Sequence, residues 1–590
     1  MAKFVLIDNS ISDTAGHHYQ YAAFCLKAAK EEGYEPILAT NKKNKETTNL
    51  PWKVYPVYTG TFWGHDEYNK FLISIYNRFE KSKFKIALSG LLRVFGPFLA
   101  KKLLDKNKIE EFSKNSQELF SQVVLSEGDI VFLPTSGLVE MFGISRCSIK
   151  NQSIRNAKWH FLFRRNLYNG SPEKYSFTYI KLRLLKLAFD NFLKHTKIHA
   201  LFYTDSDQLT DQYDRMNSVK FQTLPIPHTL PKATSRQKKS KLQITYLGDA
   251  RTEKGYQYLP YVIQDLWSDY IKTGKVSFVI QSNYNIPDGE PAPVVARTQL
   301  QHFPSDKVKL ILESPPVEEY QKILQNSDVI LMPYDKTNYY ARSSGIAIES
   351  LSHGIPILVP SGTWSARQFV SEIYKYHQSL RDKLQVLESH DNESLDIRYD
   401  ISRNKLSTTD NKLRLDWETN EAHFWMRIQQ GSTFLLLRFY FSNENTASTL
   451  IVKIHQMNDE KISFFEYEYL IEKSDLPYVT VLTPLFSKVT KLYVSIKYPY
   501  SETVLSIEKI LVDVLKSDIS NSSIPWSTVG IIYDDPEQIT YNLKNIIENY
   551  DHYIESARLF SDACYEKHNA KALVRILANH SNNKVKVNQK

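Results

Sequence analysis

Two hydrophobic rhythms divide this chain. In its first part, short apolar runs at residues 3–8, 36–40, 129–134, 158–163 and 199–204 alternate with longer stretches of helical period. That alternation predicts parallel strands joined by helices, a doubly wound α/β domain. A second series of the same kind starts at residue 243 and continues at 276–281, 308–312, 328–333 and 357–360. The rhythm then changes. Between residues 389 and 523 the runs HFWMRI, TFLLLRFYF, STLIVKIHQ, ISFFEYEYL, YVTVLT and KLYVSIKYPY follow period two with polar turns between, which predicts a β-sandwich. STVGIIYDDPEQITYNLKNIIENY, from Ser527, resumes the α/β style, so the sandwich reads as an insertion.

The predicted organisation is a Rossmann-like domain over residues 1–228 and a polar, basic linker, TLPKATSRQKKSKL, ending at residue 242. A second Rossmann-like domain takes residues 243–388 and 524–590 around the inserted 389–523. At 590 residues the chain is too long for one core, in keeping with several domains.

Candidate chemistry concentrates in the second α/β series. In YARSSGIAIESLSHGIPILVPSG, residues 340–362, Ser343, Ser344 and Gly345 open a helix with small side chains, leaving backbone N–H groups uncovered at the positive end of the helix dipole. Glu349, within that helix, has a carboxylate able to accept both hydroxyls of a ribose; Gly354 stops the helix and Pro356 opens the next strand. An ordinary buried helix with a serine cap and a solvent-facing glutamate has the same pattern. A second segment, QITYLGDARTEKGYQYLP, places Gly248, Arg251, Lys254 and Gly255 in the turn after a strand, at the end of a parallel sheet where ligands bind.

Together these segments resemble the retaining GT-B glycosyltransferases of family four, which use a nucleotide-sugar donor. Lys254-Gly255, Glu349, Gly354 and Pro356 match the family's pattern. Asp249 stands where the family has its arginine, with Arg251 two positions on, and Ala341 stands where it has its first glutamate. The resemblance implies a GT-B fold, with the N-terminal domain on the acceptor side and the donor on the second. It implies transfer of a sugar from a nucleotide-diphosphate donor to a glycan or lipid-linked acceptor. Gly16 and His17 occupy the position of the family's glycine-containing loop facing the donor.

Breaking the bond between an anomeric carbon and a diphosphate requires fixed positive charge at the departing phosphate. Lys254, Arg251 and the N–H groups around Ser344 supply it, so neither a metal nor a cofactor is called for. Retention needs no strong protein base. Inversion does, and His160 and His17 are the candidates, each with a plain structural role as the alternative. Arg164 and Arg165 are placed to hold an acidic acceptor or lipid diphosphate, or are surface cations. A nucleotide-sugar epimerase of the same fold and a non-catalytic sugar-binding scaffold are the rival readings.

Composition adds location. Cys25, Cys147 and Cys564 lack metal or disulfide spacing, no run reaches 18 apolar residues, and MAKFVLID enters a strand directly; these features predict a cytoplasmic protein. Of the net charge of +9, a segment from Arg78 to Lys108 holds nine basic and two acidic residues among large apolar ones. Such a stretch suits an anionic membrane surface, a solvated face or, without any nucleic-acid module elsewhere, least of all nucleic acid. Trp417, Trp425 and many tyrosines make the sandwich a carbohydrate-binding candidate, with a spacer or oligomerisation role as the alternative.

Overall fold

The computed structural model describes residues 1–13, 16–45, 50–62, 105–167, 178–214, 216, 218–228, 239–369, 384–391, 393–399, 412–415, 421–429, 431–443, 445, 449–457, 465–472, 478–485, 489–497, 504–517, 529–533 and 536–580. Most of the basic segment 78–108, most of the linker and Trp417 lie outside them.

The first series forms β1 (Lys3–Ile7), β2 (Glu35–Asn41), β3 (Lys53–Tyr58), β4 (Ile130–Leu133), β5 (Lys158–Leu162), β6 (His199–Thr204) and β7 (Phe221–Thr223). They build one sheet in the order β3-β2-β1-β4-β5-β6-β7, parallel throughout. The order reverses beside β1, the topology of a doubly wound fold. Two strands escape the sequence pattern. β3 is an edge strand interrupted by Pro56, tolerated there because an edge N–H need not join the ladder. β7, at the other edge, has only 3 residues.

The second series forms β8 (Leu242–Tyr246), β9 (Val276–Gln281), β10 (Val308–Ile311), β11 (Val329–Leu331) and β12 (Ile357–Pro360). The chain leaves this sheet after β12 for β13 (Leu384–His390), β14 (Arg398–Tyr399), β15 (Leu413–Leu415), β16 (Glu421–Arg427), β17 (Phe434–Phe441), β18 (Thr449–Met457), β19 (Phe465–Glu472), β20 (Tyr478–Pro484), β21 (Lys491–Lys497) and β22 (Leu505–Ser517). It returns as β23 (Gly530–Tyr533), parallel to β12, and completes the order β10-β9-β8-β11-β12-β23.

The ten intervening strands pair antiparallel in two sheets, β13-β22-β17-β20 with β15 on β22, and β14-β16-β21-β18-β19. Inward residues of both, such as Leu437, Phe439 and Val512 from one and Phe424, Val452 and Val494 from the other, share a single apolar cluster. That cluster continues into Ile348, Leu351 and Ile357 of the second α/β domain, so the sheets are welded to it. The first antiparallel strand begins at Leu384, ahead of the boundary expected at 389. Gln385, Val386 and Leu387 are all exposed, which removes the alternation that marks a half-buried strand.

The C-terminus corrects the domain assignment more sharply. The helix Ala570–His580 packs on the N-terminal domain, not the second: Ala570, Leu573, Val574 and Leu577 are buried with Phe4, Leu6, Ala22 and Leu26. Lys571 and Arg575 pair with Glu31 and Glu32 at its rim. An amphipathic helix goes where its apolar stripe is covered, and sequence proximity to the second domain does not decide that. The two chain crossings are tied together, Ile226 N–H donating to His568 Nδ1 at 3.2 Å and Ala570 N–H to the His228 carbonyl at 3.3 Å.

Candidate active site

The turn after β8 is built by glycines. Gly248 and Gly255 have φ of 110° and 71°, left-handed conformations that side chains disfavour. A Cβ on Gly255 would strike the Pro333 carbonyl beyond β11, and one on Gly248 would strike Lys254 Nζ. These close approaches pin the turn Thr252–Lys254 onto the neighbouring strand end and lay the Lys254 ammonium across Gly248. Gln281 accepts from Gly248 N–H at 2.7 Å, and Asn283 donates to Asp249 at 2.9 Å, fixing the rest of the turn.

Lys254 is buried, its ammonium 5.8 Å from the centre of the Tyr334 ring. Burial first, then the Arg251 charge, push its pKa down to about 8 from the ordinary 10.5, against the opposing pull of Asp249. Arg251 pairs with Glu253 at 2.9 Å and Asp249 at 3.4 Å. Its Nε is enclosed without a hydrogen-bond partner among the described residues. Arg342, which the sequence did not single out, reaches the same Glu253 oxygen at 3.1 Å. Arg251, Glu253 and Arg342 line a cavity of about 830 Å³ with Tyr258, Asn285, Glu290, Tyr334 and Tyr533. That volume lies within the range of small-molecule and cofactor sites.

Ser344 caps the helix Gly345–Ser352, its hydroxyl accepting from Ala347 N–H, and Gly345 is exposed with open space beside it. Neither lines the cavity. Glu349 does not face solvent: it is largely buried, accepts a hydrogen bond from the Tyr320 hydroxyl, and burial raises its pKa to about 7 against the pull of that bond. Tyr320, on the helix Val317–Asn326, is a partner that sequence spacing could not reveal.

The other expected residues scatter. Ser343 donates to Asp205 of the N-terminal domain at 2.6 Å, so its hydroxyl is committed to an interdomain contact. Ser206 donates to the Ala341 carbonyl at 2.6 Å, and Ala341 is wholly enclosed against Leu209 and Tyr340. Arg164 is held by Asp205 at 3.1 Å and stacks on Tyr21, while Arg165 stacks on Phe62. Arg164 is thus tied within the N-terminal domain to the Asp205 carboxylate that also holds Ser343, which corrects its reading as a surface cation. His160 is corrected as a candidate base: in the middle of β5 it is fully buried and bonded to the Tyr203 hydroxyl at 3.0 Å. Gly16 and His17 open the helix Gly16–Glu31, and their side chains lie outside the described residues. The histidine that sequence reasoning passed over is His18, its Nδ1 held at 2.9 Å by Asp8 at the end of β1. The only available signal was an aspartate closing the first strand ten residues ahead of it.

Two Rossmann-like domains meeting through the loops at their strand ends, with β-strands inserted between β12 and β23, define a GT-B fold. No protein-family model matches the chain, and no curated protein matches it. Solved structures similar to it include the N-terminal domain of Candida albicans trehalose-6-phosphate phosphatase, at 11% identity over 63% of this chain and 85% of that one, TM-score 0.40. The catalytic domain of Arabidopsis thaliana starch synthase IV, bound to ADP and acarbose, is 12% identical over 62% and 84%, TM-score 0.38. A structure of E. coli trehalose-6-phosphate bound with UDP-2-fluoro glucose is 13% identical over 63% and 87%, TM-score 0.38.

The glycine turn yields a stability test. Gly255→Ala forces a left-handed alanine into the Pro333 carbonyl and should cost about 2 kcal/mol or more. Gly345→Ala, in open space, should leave thermal stability unchanged. Equal melting curves for the two variants would contradict the close approach.

Proposed function

We propose that this protein is a glycosyltransferase of the hexosyltransferase type, moving a sugar from a nucleotide-diphosphate donor to a glycan or lipid-linked acceptor in cell-surface polysaccharide synthesis. The observation that carries the reading is the cavity of about 830 Å³ with Arg251 and Arg342 in its wall and the buried Lys254 behind it, at the carboxyl ends of a parallel sheet. The donor's diphosphate lies against these cations, and Glu349, which stands with the Ser344 helix outside the cavity wall, takes the ribose hydroxyls in exchange for that of Tyr320. The anomeric carbon–phosphate oxygen bond breaks as the acceptor oxygen bonds to that carbon. With retention, the acceptor proton passes to the leaving phosphate on the same face, and the cations take the developing charge without calling for a metal. An inverting course would instead use His18, oriented by Asp8, as base.

A glycan acceptor is favoured by the antiparallel region. Trp425, 49% exposed, sits 4.7 Å from Tyr493 on the sheet face that also carries Lys453, and Lys453 reaches the Tyr340 hydroxyl beside the site. Lys497 on the same face pairs with Asp211 of the N-terminal domain, so the inserted sheets front both halves of the cleft. Residues 389–523 are then an acceptor-guiding unit, and an epimerase, which has no separate acceptor, has no use for them.

No helix of the described residues is long and apolar enough to cross a membrane. We propose that the basic segment 78–108 brings a cytoplasmic enzyme to the anionic inner face of the membrane, each cation contributing about 1 kcal/mol. In flotation assays the protein should rise with anionic liposomes and not with neutral ones, and lose that preference at high salt. Equal recovery with both would reject the docking.

Incubation with labelled nucleotide sugars separates the rivals, since transfer or hydrolysis marks a transferase, an altered sugar an epimerase, and unchanged donor a binding protein. With the true donor, Lys254→Ala should lower turnover by roughly 10²- to 10³-fold. Glu349→Gln should weaken donor binding more than it slows chemistry. Near-normal kinetics for both would refute the site.

The pH dependence follows from the two shifted groups. Glu349, raised to about 7, becomes a full acceptor only above that pH, and Lys254, lowered to about 8, loses its charge above that one. Affinity for a nucleoside diphosphate should therefore peak between about pH 7 and 8. By calorimetry, Lys254→Met should flatten the alkaline limb and Glu349→Gln should move the acid limb toward the phosphate's own pKa of about 6.

A further inference from the structure

We infer that Glu253 is an internal counter-ion occupying the place of the donor's phosphates, and that Arg342 is a third phosphate-binding cation released when the donor displaces it. The inference rests on the donor reading above and gives a role to Glu253, which that reading leaves without one. One carboxylate oxygen, Glu253 Oε1, binds both Arg251, at 2.9 Å, and Arg342, at 3.1 Å. These side chains come from different strand connections, Arg251 from the turn after β8 and Arg342 from the loop after β11, and they converge on a single acceptor. All three residues line the same cavity, so the bridge stands in the wall that a ligand must meet.

Charge explains why the bridge forms. Arg251, Arg342 and Lys254 lie close enough for both arginines to depress the Lys254 pKa. Three cations held together without anions would repel one another, and Asp249 and Glu253 offset that repulsion in the empty site. A diphosphate brings two or more negative charges and several acceptor oxygens, and can replace a single carboxylate on both guanidinium forks. The buried Arg251 Nε, without a partner among the described residues, is a donor that Glu253 leaves unused and a polydentate anion can take up. Glu253 is held to its own backbone position, its carbonyl accepting from Asp335 N–H at 2.8 Å, so only the side chain has to move. It is a positioning and gating residue, and Arg342 is the one that binds.

The consequence is selectivity by charge. A monophosphate brings less charge and fewer acceptor oxygens than a diphosphate and replaces the Glu253 bridge on two separate guanidinium groups less well, so the site favours nucleoside diphosphates over monophosphates. Side-chain exposures of 19% to 43% for Arg251, Glu253 and Arg342 mean that water screens these interactions, which keeps each effect near tenfold.

The test uses the full-length protein, inorganic pyrophosphate and calorimetry at pH 7, with thermal melts to confirm folding. Glu253→Gln keeps an acceptor for both arginines while removing the competing charge, and should bind pyrophosphate about tenfold more tightly. Arg342→Gln should bind it about tenfold more weakly, and Arg342→Lys should fall between. Orthophosphate affinity should rise in Glu253→Gln by more than pyrophosphate affinity does, narrowing the preference between them. An unchanged or weakened Glu253→Gln, an unchanged Arg342→Gln, or no pyrophosphate binding by the unaltered protein would each overturn the inference. The donor reading fails separately: pyrophosphate binding that shifts as stated, with no nucleotide sugar bound or turned over, leaves the counter-ion standing and removes the glycosyltransferase.

Discussion

The site depends on one close approach, that of the turn after β8 to the end of β11. Gly255 presses against the Pro333 carbonyl and the Lys254 ammonium lies across Gly248, where no side chain fits. Two neighbouring strands of a parallel sheet thereby present their following loops as one surface. Arg251 from one and Tyr334 and Arg342 from the other line the same cavity, with Lys254 buried against Tyr334, because the backbone between them has been brought so near. The cost is paired left-handed backbone and a lysine stripped of most of its water, visible in its lowered pKa.

The cleft above that surface is held by polar struts between domains. Asp205 joins Arg164 of its own domain to Ser343 of the other, and Ser206 binds the Ala341 carbonyl. Below, the chain crosses twice, and the last helix, Ala570–His580, returns its apolar face to the first domain. The inserted sheets add further ties through Lys453 and Lys497. Hydrogen bonds and ion pairs of this kind, partly exposed, fix register at modest energy, while the apolar cores shared by the last helix and by the inserted sheets carry the larger share of stability.

Much of the fold was legible in the sequence because its signals are local. Parallel strands buried on both faces read as apolar runs, and all five expected in each α/β series are present within a residue or two of their expected ends. Three edge strands were not legible: β3 carries a proline, β7 has only 3 residues, and β13 leaves Gln385, Val386 and Leu387 exposed. The helix Ala570–His580 was assigned to the wrong domain because an apolar stripe states that a helix is covered and not what covers it.

For the site the division is the same. Glycine spacing, the Lys254-Gly255 pair and the serine-capped helix follow from covalent geometry and helix electrostatics, and the sequence by itself determined them. Which carboxylate meets which cation did not follow. Glu253 bridging Arg251 and Arg342, Tyr320 on Glu349, Asp8 on His18, and the enclosure of His160 and Ala341 all join residues distant in sequence or turn on how elements pack. Ion pairs and hydrogen bonds act over a few ångströms in three dimensions, and only the tertiary structure sets those distances.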